Sequence, residues 1–338
     1  MTILLNNDLQ NAVAQSGIGR ALDHQKLALA SAGIPYTTNA REDFDLIHIN
    51  TIFPQSYLKA LKAKRKGIPV VYFAHSTEED FRDSYILSNQ TAKAFKWWLK
   101  KCYGLADLIL TPTTYSKSLL ESYGLDVPIK PISNGIDLDY WQASSTEIAD
   151  FKHTYSIDDK MPTIISVGLQ IKRKGIIEFV EMAKRMPEVQ FIWFGKSNQN
   201  TVGKEVRDAL RTQLPNLTFA GYIPRDKIRI AYQAADLYVF LTHEETEGIV
   251  LLEALASKTP TLISDLPVFD YLTDKVNVYK AKGIEEYITA AENILEGSWP
   301  DLSESGYEIA QERGIETIGE QYKTYYKLAF DLTNTTKK

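Results

Sequence analysis

The sequence predicts an α/β protein built on two doubly wound parallel sheets, one in each half of the chain. Three observations carry that expectation. Short apolar runs recur at residues 3–5, 46–49, 69–73 and 108–111, and again at 162–168, 191–194, 217–220, 236–242 and 260–263. They are apolar throughout, as strands covered on both faces are, and helical stretches separate them, which is the pattern of parallel pairing. At 338 residues the chain is longer than one core ordinarily holds, so two domains are expected. Their expected spans are residues 1–158 and 159–312, with a polar linker over 142–160. A helix over 315–332, carrying Tyr322, Tyr325, Tyr326, Leu328 and Phe330, packs back across the domains.

Composition narrows the class. With 44% hydrophobic and 24% charged residues the chain is globular, and it contains no run long enough to span a membrane. Its first residues lack the basic start and long apolar core of a signal peptide. The single Cys102 excludes an internal disulfide or a multi-cysteine zinc site, so a cytosolic protein is expected. A net charge of -5 argues against general nucleic-acid binding.

Taken in order, the first strand leads to Ser16-Gly17-Ile18-Gly19-Arg20, whose glycines allow close approach to a ligand and whose arginine suits an anion, ahead of a helix from Ala21 to Ala32. A flexible loop before a helix cap reads equally well. His75 follows the strand 69–73 and so lies at the carboxyl edge of a sheet, where open α/β folds bind ligands. Glu78, Glu79, Asp80 and Asp83 read as a solvated loop rather than a metal site. Residues 89–103 form a helix with an apolar arc of Ala92, Phe95, Trp98, Leu99, Cys102 and Tyr103. Trp97 falls outside that arc, among Lys93, Lys96, Lys100 and Lys101, a composition suited to an anionic membrane surface. Lys59, Lys62, Lys64, Arg65 and Lys66 add basic surface in the same half. The competing reading is a solvated helix with one stray aromatic.

An apolar strand then runs into the turn Asn134-Gly-Ile-Asp137, and Asp137-Leu-Asp139 reads as turn chemistry and a helix start. In the second half the strand 162–168 ends at Gly168 and is followed by Lys172-Arg173-Lys174-Gly175, a basic loop that would stabilise a diphosphate. Gly221-Tyr222-Ile223 follows the strand 217–220. The strand 236–242 opens into His243 to Ala254, a strand-loop-helix turn in which Glu245 and Glu253 bracket Gly248. Helix amides there, around Gly248, Ile249 and Val250, suit a phosphate.

Together these residues resemble the retaining glycosyltransferases of family 4, whose fold, GT-B, has two facing Rossmann-like domains. Glu245 and Glu253 match the family's two glutamates in the frame Glu-Gly-Phe-Gly-Leu-x-x-x-Glu, with Glu247 in place of the phenylalanine. The resemblance implies that Glu245 contacts the donor sugar, that Glu253 holds the ribose, and that Lys174 meets the donor diphosphate. It also implies that His75 lies near the reacting carbon, that Gly17 and Gly19 form the first glycine-rich loop, and that Asn134 to Asp137 form the interdomain turn. Leu169 stands where the family has arginine, and Arg173 or Lys172 is the substitute cation. Tyr222 and Ile223 complete the expected nucleotide-binding set.

The short chain and the basic aromatic helix further resemble bacterial enzymes that build glycosyl-diacylglycerols. The implied reaction moves galactose or glucose from a UDP-sugar to a lipid such as monoglucosyl-diacylglycerol, without metal or cofactor, at the inner face of the membrane. Diacylglycerol itself, a soluble saccharide or a polyprenyl-linked one are the alternative acceptors, and a catalytically silent sugar-nucleotide or membrane-binding module is the non-enzymatic alternative. A nicotinamide oxidoreductase would need a glycine fingerprint that neither half supplies.

Overall fold

The computed structural model describes residues 1–6, 8 and 17–335; the expectation for Ser16 lies outside them. Two six-stranded sheets make up the molecule. The first has the order β2-β1-β3-β4-β5-β6, from β1 (Ile3–Asn6), β2 (Tyr36–Thr37), β3 (Leu46–Ile49), β4 (Val70–Phe73), β5 (Leu108–Thr111) and β6 (Ile129–Pro131). The second has the order β12-β11-β10-β7-β8-β9, from β7 (Thr163–Val167), β8 (Gln190–Phe194), β9 (Leu217–Gly221), β10 (Leu237–Phe240), β11 (Thr261–Ser264) and β12 (Tyr279–Ala281). Every strand pair in both sheets is parallel.

Alternate residues of each strand serve opposite cores, which is why the strands read as unbroken apolar runs. In the first sheet Ile3, Leu5, Val71, Phe73, Leu108 and Leu110 pack under helices Gly17–Ser31 and Ile315–Thr335. Leu4, Ile47, Val70, Tyr72 and Ile109 face the other way, toward Leu99, Cys102 and Tyr103 of helix Ser88–Tyr103. The second sheet divides likewise, with Ile165, Ile192 and Tyr238 in one core and Ile164, Phe191 and Leu237 in the other.

Three expectations need correction. The segment 142–160 is not a linker, because helix Ser145–Thr154 starts on a capping box at Ser144 and buries Phe151 against the second sheet beside Trp141. The chain crosses between domains earlier, at Ile136, and recrosses beside it, since Ile136 and Gly314 form a parallel bridge. The strand expected to run into the turn at Asn134 ends earlier, as Ile129–Pro131. The glycines at 17 and 19 are not a loop. They form the first turn of helix Gly17–Ser31.

Candidate functional site

In the second sheet the strand order reverses between β7 and β10, and the crevice beyond their carboxyl ends is where open α/β sheets hold ligands. The loops that leave these two strands carry the basic stretch and the two glutamates. They are tied to each other: the His243 amide donates to the Arg173 carbonyl at 2.7 Å, and the Thr242 hydroxyl donates to the same oxygen at 3.1 Å. A cavity of about 840 Å³ opens above them. Gly168, Arg173, Lys174, Tyr222, Ile223, Glu245, Gly248, Ile249 and Val250 line its second-domain wall, and Gly17, Arg20, His75 and Asp80 line the first-domain wall.

Local geometry explains how the loops are held. Gly175 sits at φ 78 between the Lys172–Lys174 turn and helix Ile176–Arg185. Gly248 sits at φ 86 at the start of helix Ile249–Ala256, where a Cβ would come within 2.7 Å of the Phe240 ring. Both positions lie in the left-handed region that only glycine enters freely. Gly248, Ile249 and Val250 at the start of helix Ile249–Ala256 line the cavity, and helix starts are where backbone amides make anion sites.

Lys174 and Glu245 form a buried ion pair, with the Arg173 guanidinium 3.6 Å from the same carboxylate oxygen. Burial works to raise the Glu245 pKa, but these two cations hold it below the ordinary carboxylate range. Burial pulls the Lys174 pKa down despite Glu245. Arg173 also donates to the Ser84 hydroxyl at 3.0 Å and to the Glu244 carbonyl at 2.7 Å, so it straps the first domain to the second. Lys172 is not part of the site, since it pairs with Glu205 at 2.8 Å on the exposed side of the loop. Of the three cations expected to face a diphosphate, Arg173 and Lys174 reach the cavity.

The second glutamate is occupied from across the cleft. Arg20 places Nη1 2.5 Å from each oxygen of Glu253, and the Tyr232 hydroxyl donates to it at 3.2 Å. The anion that Arg20 meets is thus a protein carboxylate. Glu253 is fully buried and does not itself line the cavity, and Gly19 is likewise buried and outside the lining.

His75 stacks on Phe73 at a centroid distance of 4.2 Å, and its Nε2 is 3.1 Å from Asn50 Oδ1. Asn50 donates its amide to Gln25, so its oxygen is the acceptor and Nε2 of His75 carries the proton. Burial lowers the His75 pKa to about 3, which keeps the ring neutral at physiological pH.

Three contributors escaped the sequence reading. Asp80 belongs not to a solvated loop but to the helical turn Glu78–Phe81, fixed by a capping box with Thr77. Glu247, in the phenylalanine position, is buried and accepts from the Asn134 amide at 3.0 Å and the Asn134 side chain at 2.6 Å. It pins the loop after β10 to the interdomain crossing. Replacing Glu247 with alanine would strand both buried donors, and a loss of about 1–3 kcal/mol in denaturant unfolding is expected, with glutamine retaining most of the stability. The third is the loop after β8, from Gly195 to Gln199, which supplies part of the cavity rim.

On the helix Ser88–Tyr103, Trp97 is 60% exposed, and Lys93, Lys100 and Lys101 on the same face are exposed beside it. Lys96 does not join them. It turns inward to Glu78 at 3.1 Å and lies over the Tyr123 ring. Lys59 is similarly committed, to Asp8 and Asn6. Among the described residues no helix is long and apolar enough to cross a membrane, and no group of three or more histidine, cysteine, aspartate or glutamate side chains is arranged to hold a metal ion.

Residues 24–140 match the family model described as Glycosyltransferase Family 4, and residues 147–312 match that of Glycosyl transferases group 1. The processive diacylglycerol alpha-glucosyltransferase of Acholeplasma laidlawii is 40% identical over 97% of this chain and 98% of its own. The chain belongs to the family 4 glycosyltransferases. More distant relatives include the alpha-galactosylglucosyldiacylglycerol synthase of Streptococcus pneumoniae, 24% identical over 86% of this chain and 79% of its own. Among solved structures, Anabaena Alr3699/HepE in complex with UDP and glucose superposes with a TM-score of 0.76 at 16% identity, covering 97% of this chain and 99% of that one. The glycosyltransferase therefore has the GT-B fold expected from its sequence.

Proposed function

We propose that this glycosyltransferase moves a hexose from UDP-hexose to diacylglycerol and to the monoglycosylated product, with retention at the anomeric carbon, on the cytoplasmic face of a membrane. The observation that carries the lipid acceptor is the 40% identity, over almost the full length of both chains, to a processive diacylglycerol alpha-glucosyltransferase. That name favours glucose over galactose as the sugar.

Departure of the nucleoside diphosphate builds negative charge at the oxygen leaving the anomeric carbon. Lys174, Arg173 and the amides at the start of helix Ile249–Ala256 are preorganised to stabilise it without reorienting water. Glu245 orients the sugar and balances Lys174 until the diphosphate arrives. Attack on the face the diphosphate leaves gives retention, with the leaving phosphate taking the hydroxyl proton. Neutral His75 supplies hydrogen bonding beside the reacting carbon. Incubating the protein with UDP-glucose or UDP-galactose and vesicles of diacylglycerol or monoglucosyl-diacylglycerol, then identifying products by mass spectrometry, tests the reading. Absence of any glycosylated lipid with either donor would overturn it.

Trp97, Lys93, Lys100 and Lys101 form the membrane face in this proposal. Trp97→Ala combined with Lys93→Glu and Lys101→Glu is expected to weaken binding to anionic vesicles about tenfold or more, since each cation near the surface contributes about 1 kcal/mol. Flotation with unchanged recovery of the variant would count against that face.

A further inference from the structure

Most charged side chains of the cavity already satisfy one another. Glu245 is spent on Lys174, Arg20 on Glu253, and Arg173 on Ser84, the Glu244 carbonyl and Glu245. Asp80 stands apart. It lines the cavity beside His75 and Ser76, yet among the described residues no cation comes within salt-bridge distance of it. Its Oδ1 receives one long hydrogen bond, from the Thr77 amide at 3.4 Å, and Oδ2 receives none.

Its position is rigid and one-sided. The Thr77 capping box fixes the turn Glu78–Phe81, and Phe81 stacks on Phe95 of helix Ser88–Tyr103 at a centroid distance of 4.3 Å. The outer face of that helix carries Trp97. Asp80 thus lies on the first-domain wall, on a turn packed against the helix that carries the exposed aromatic-basic face. A half-buried, anchored carboxylate with spare acceptor capacity in the cavity wall is the kind of group that reads hydroxyls, because a ligand that supplies a donor gains a charge-assisted hydrogen bond there that one without a donor cannot make.

We propose that Asp80 is the residue that recognises a sugar-bearing acceptor, accepting hydrogen bonds from ring hydroxyls next to the one that is glycosylated. This rests on the lipid-acceptor reading above. Diacylglycerol has a single hydroxyl, the one that reacts, and so offers Asp80 no neighbouring group. A monoglycosylated lipid offers several. Asp80 therefore governs the second transfer far more than the first, and sets whether the enzyme stops after one sugar or continues. Burial, assisted by Glu245 and opposed by Arg173 and Lys174, pushes its pKa up to about 6, so the carboxylate loses acceptor capacity as pH falls through that value.

The test is steady-state kinetics of wild type, Asp80→Ala and Asp80→Asn with vesicles of diacylglycerol and, separately, monoglucosyl-diacylglycerol. Both variants are expected to raise KM for monoglucosyl-diacylglycerol tenfold or more, while KM for diacylglycerol and for the sugar nucleotide changes less than threefold. In wild type the KM for the sugar-bearing lipid rises as pH is lowered from 7 to 5, and in Asp80→Asn it does not. Equal effects on the two lipids, or a matching rise in donor KM, would overturn the role of Asp80 while leaving the lipid reading intact. A wild type that glycosylates neither lipid would overturn that reading itself.

Discussion

Replacing Lys174 with alanine is expected to lower kcat about 100- to 1000-fold, the effect of removing one preorganised electrostatic contact from a developing anion. The loss is compounded by what remains. Glu245 would stay buried with Arg173 as its nearest cation, at 3.6 Å. Breaking a buried pair by removing one partner costs about 3–5 kcal/mol, so a lower unfolding midpoint should accompany the lost activity. Thermal unfolding beside a donor-consumption assay separates the contributions. Lys174→Met with Glu245→Gln, which removes both charges, should recover much of the stability and none of the rate. Wild-type turnover in Lys174→Ala would sink the assignment of this lysine to the diphosphate.

A change of one methyl group, Gly175→Ala, should be nearly as severe. The added Cβ would run into the Leu241 carbonyl at the end of β10, and φ 78 is a conformation alanine resists. Backbone strain of this kind costs about 1–3 kcal/mol, before the loop moves to relieve the clash. Because the obstruction is backbone, relief must come from shifting Lys172–Lys174 away from β10, which breaks the His243 and Thr242 bonds to Arg173. Donor affinity should therefore fall together with stability. Isothermal titration with UDP and a denaturant melt report the two, and unchanged affinity would show that the loop tolerates the shift.

Much of this was legible in the sequence because the physics was local. Strands buried on both faces leave apolar runs, and all nine expected runs correspond to observed strands. The Lys174 loop and the turn around Gly248 follow such runs directly, so their place at a sheet edge follows from order alone. What remained hidden depended on contacts between distant residues. Arg20 and Glu253 are 233 positions apart, and Asn134 and Glu247 are 113 apart. Neither pairing leaves a periodic trace. Asp80 was obscured by its neighbours, since Glu78, Glu79 and Asp83 make the stretch read as solvated although Glu78 is buried and paired with Arg82 and Lys96. The segment 142–160 misled for a related reason: its polar composition outweighs the few anchors, Phe151 and Tyr155, that dock it beside Phe194.

The adjacent crossings at Ile136 and Gly314 have a consequence for biosynthesis. Residues 137–313 form one uninterrupted globule, whereas the first sheet is completed only by helix Ile315–Thr335, whose Ile318, Tyr322 and Tyr326 cover Ile3, Leu5, Val71 and Phe73. During translation the half that emerges first must wait, one apolar face covered by helix Gly17–Ser31 alone, until residues 137–335 have been made. The later half is free to fold as soon as it is released. N-terminal domains generally fold first, and here the topology favours the opposite order. The nascent chain is therefore most exposed to aggregation or chaperone capture while residues 137–313 are being made.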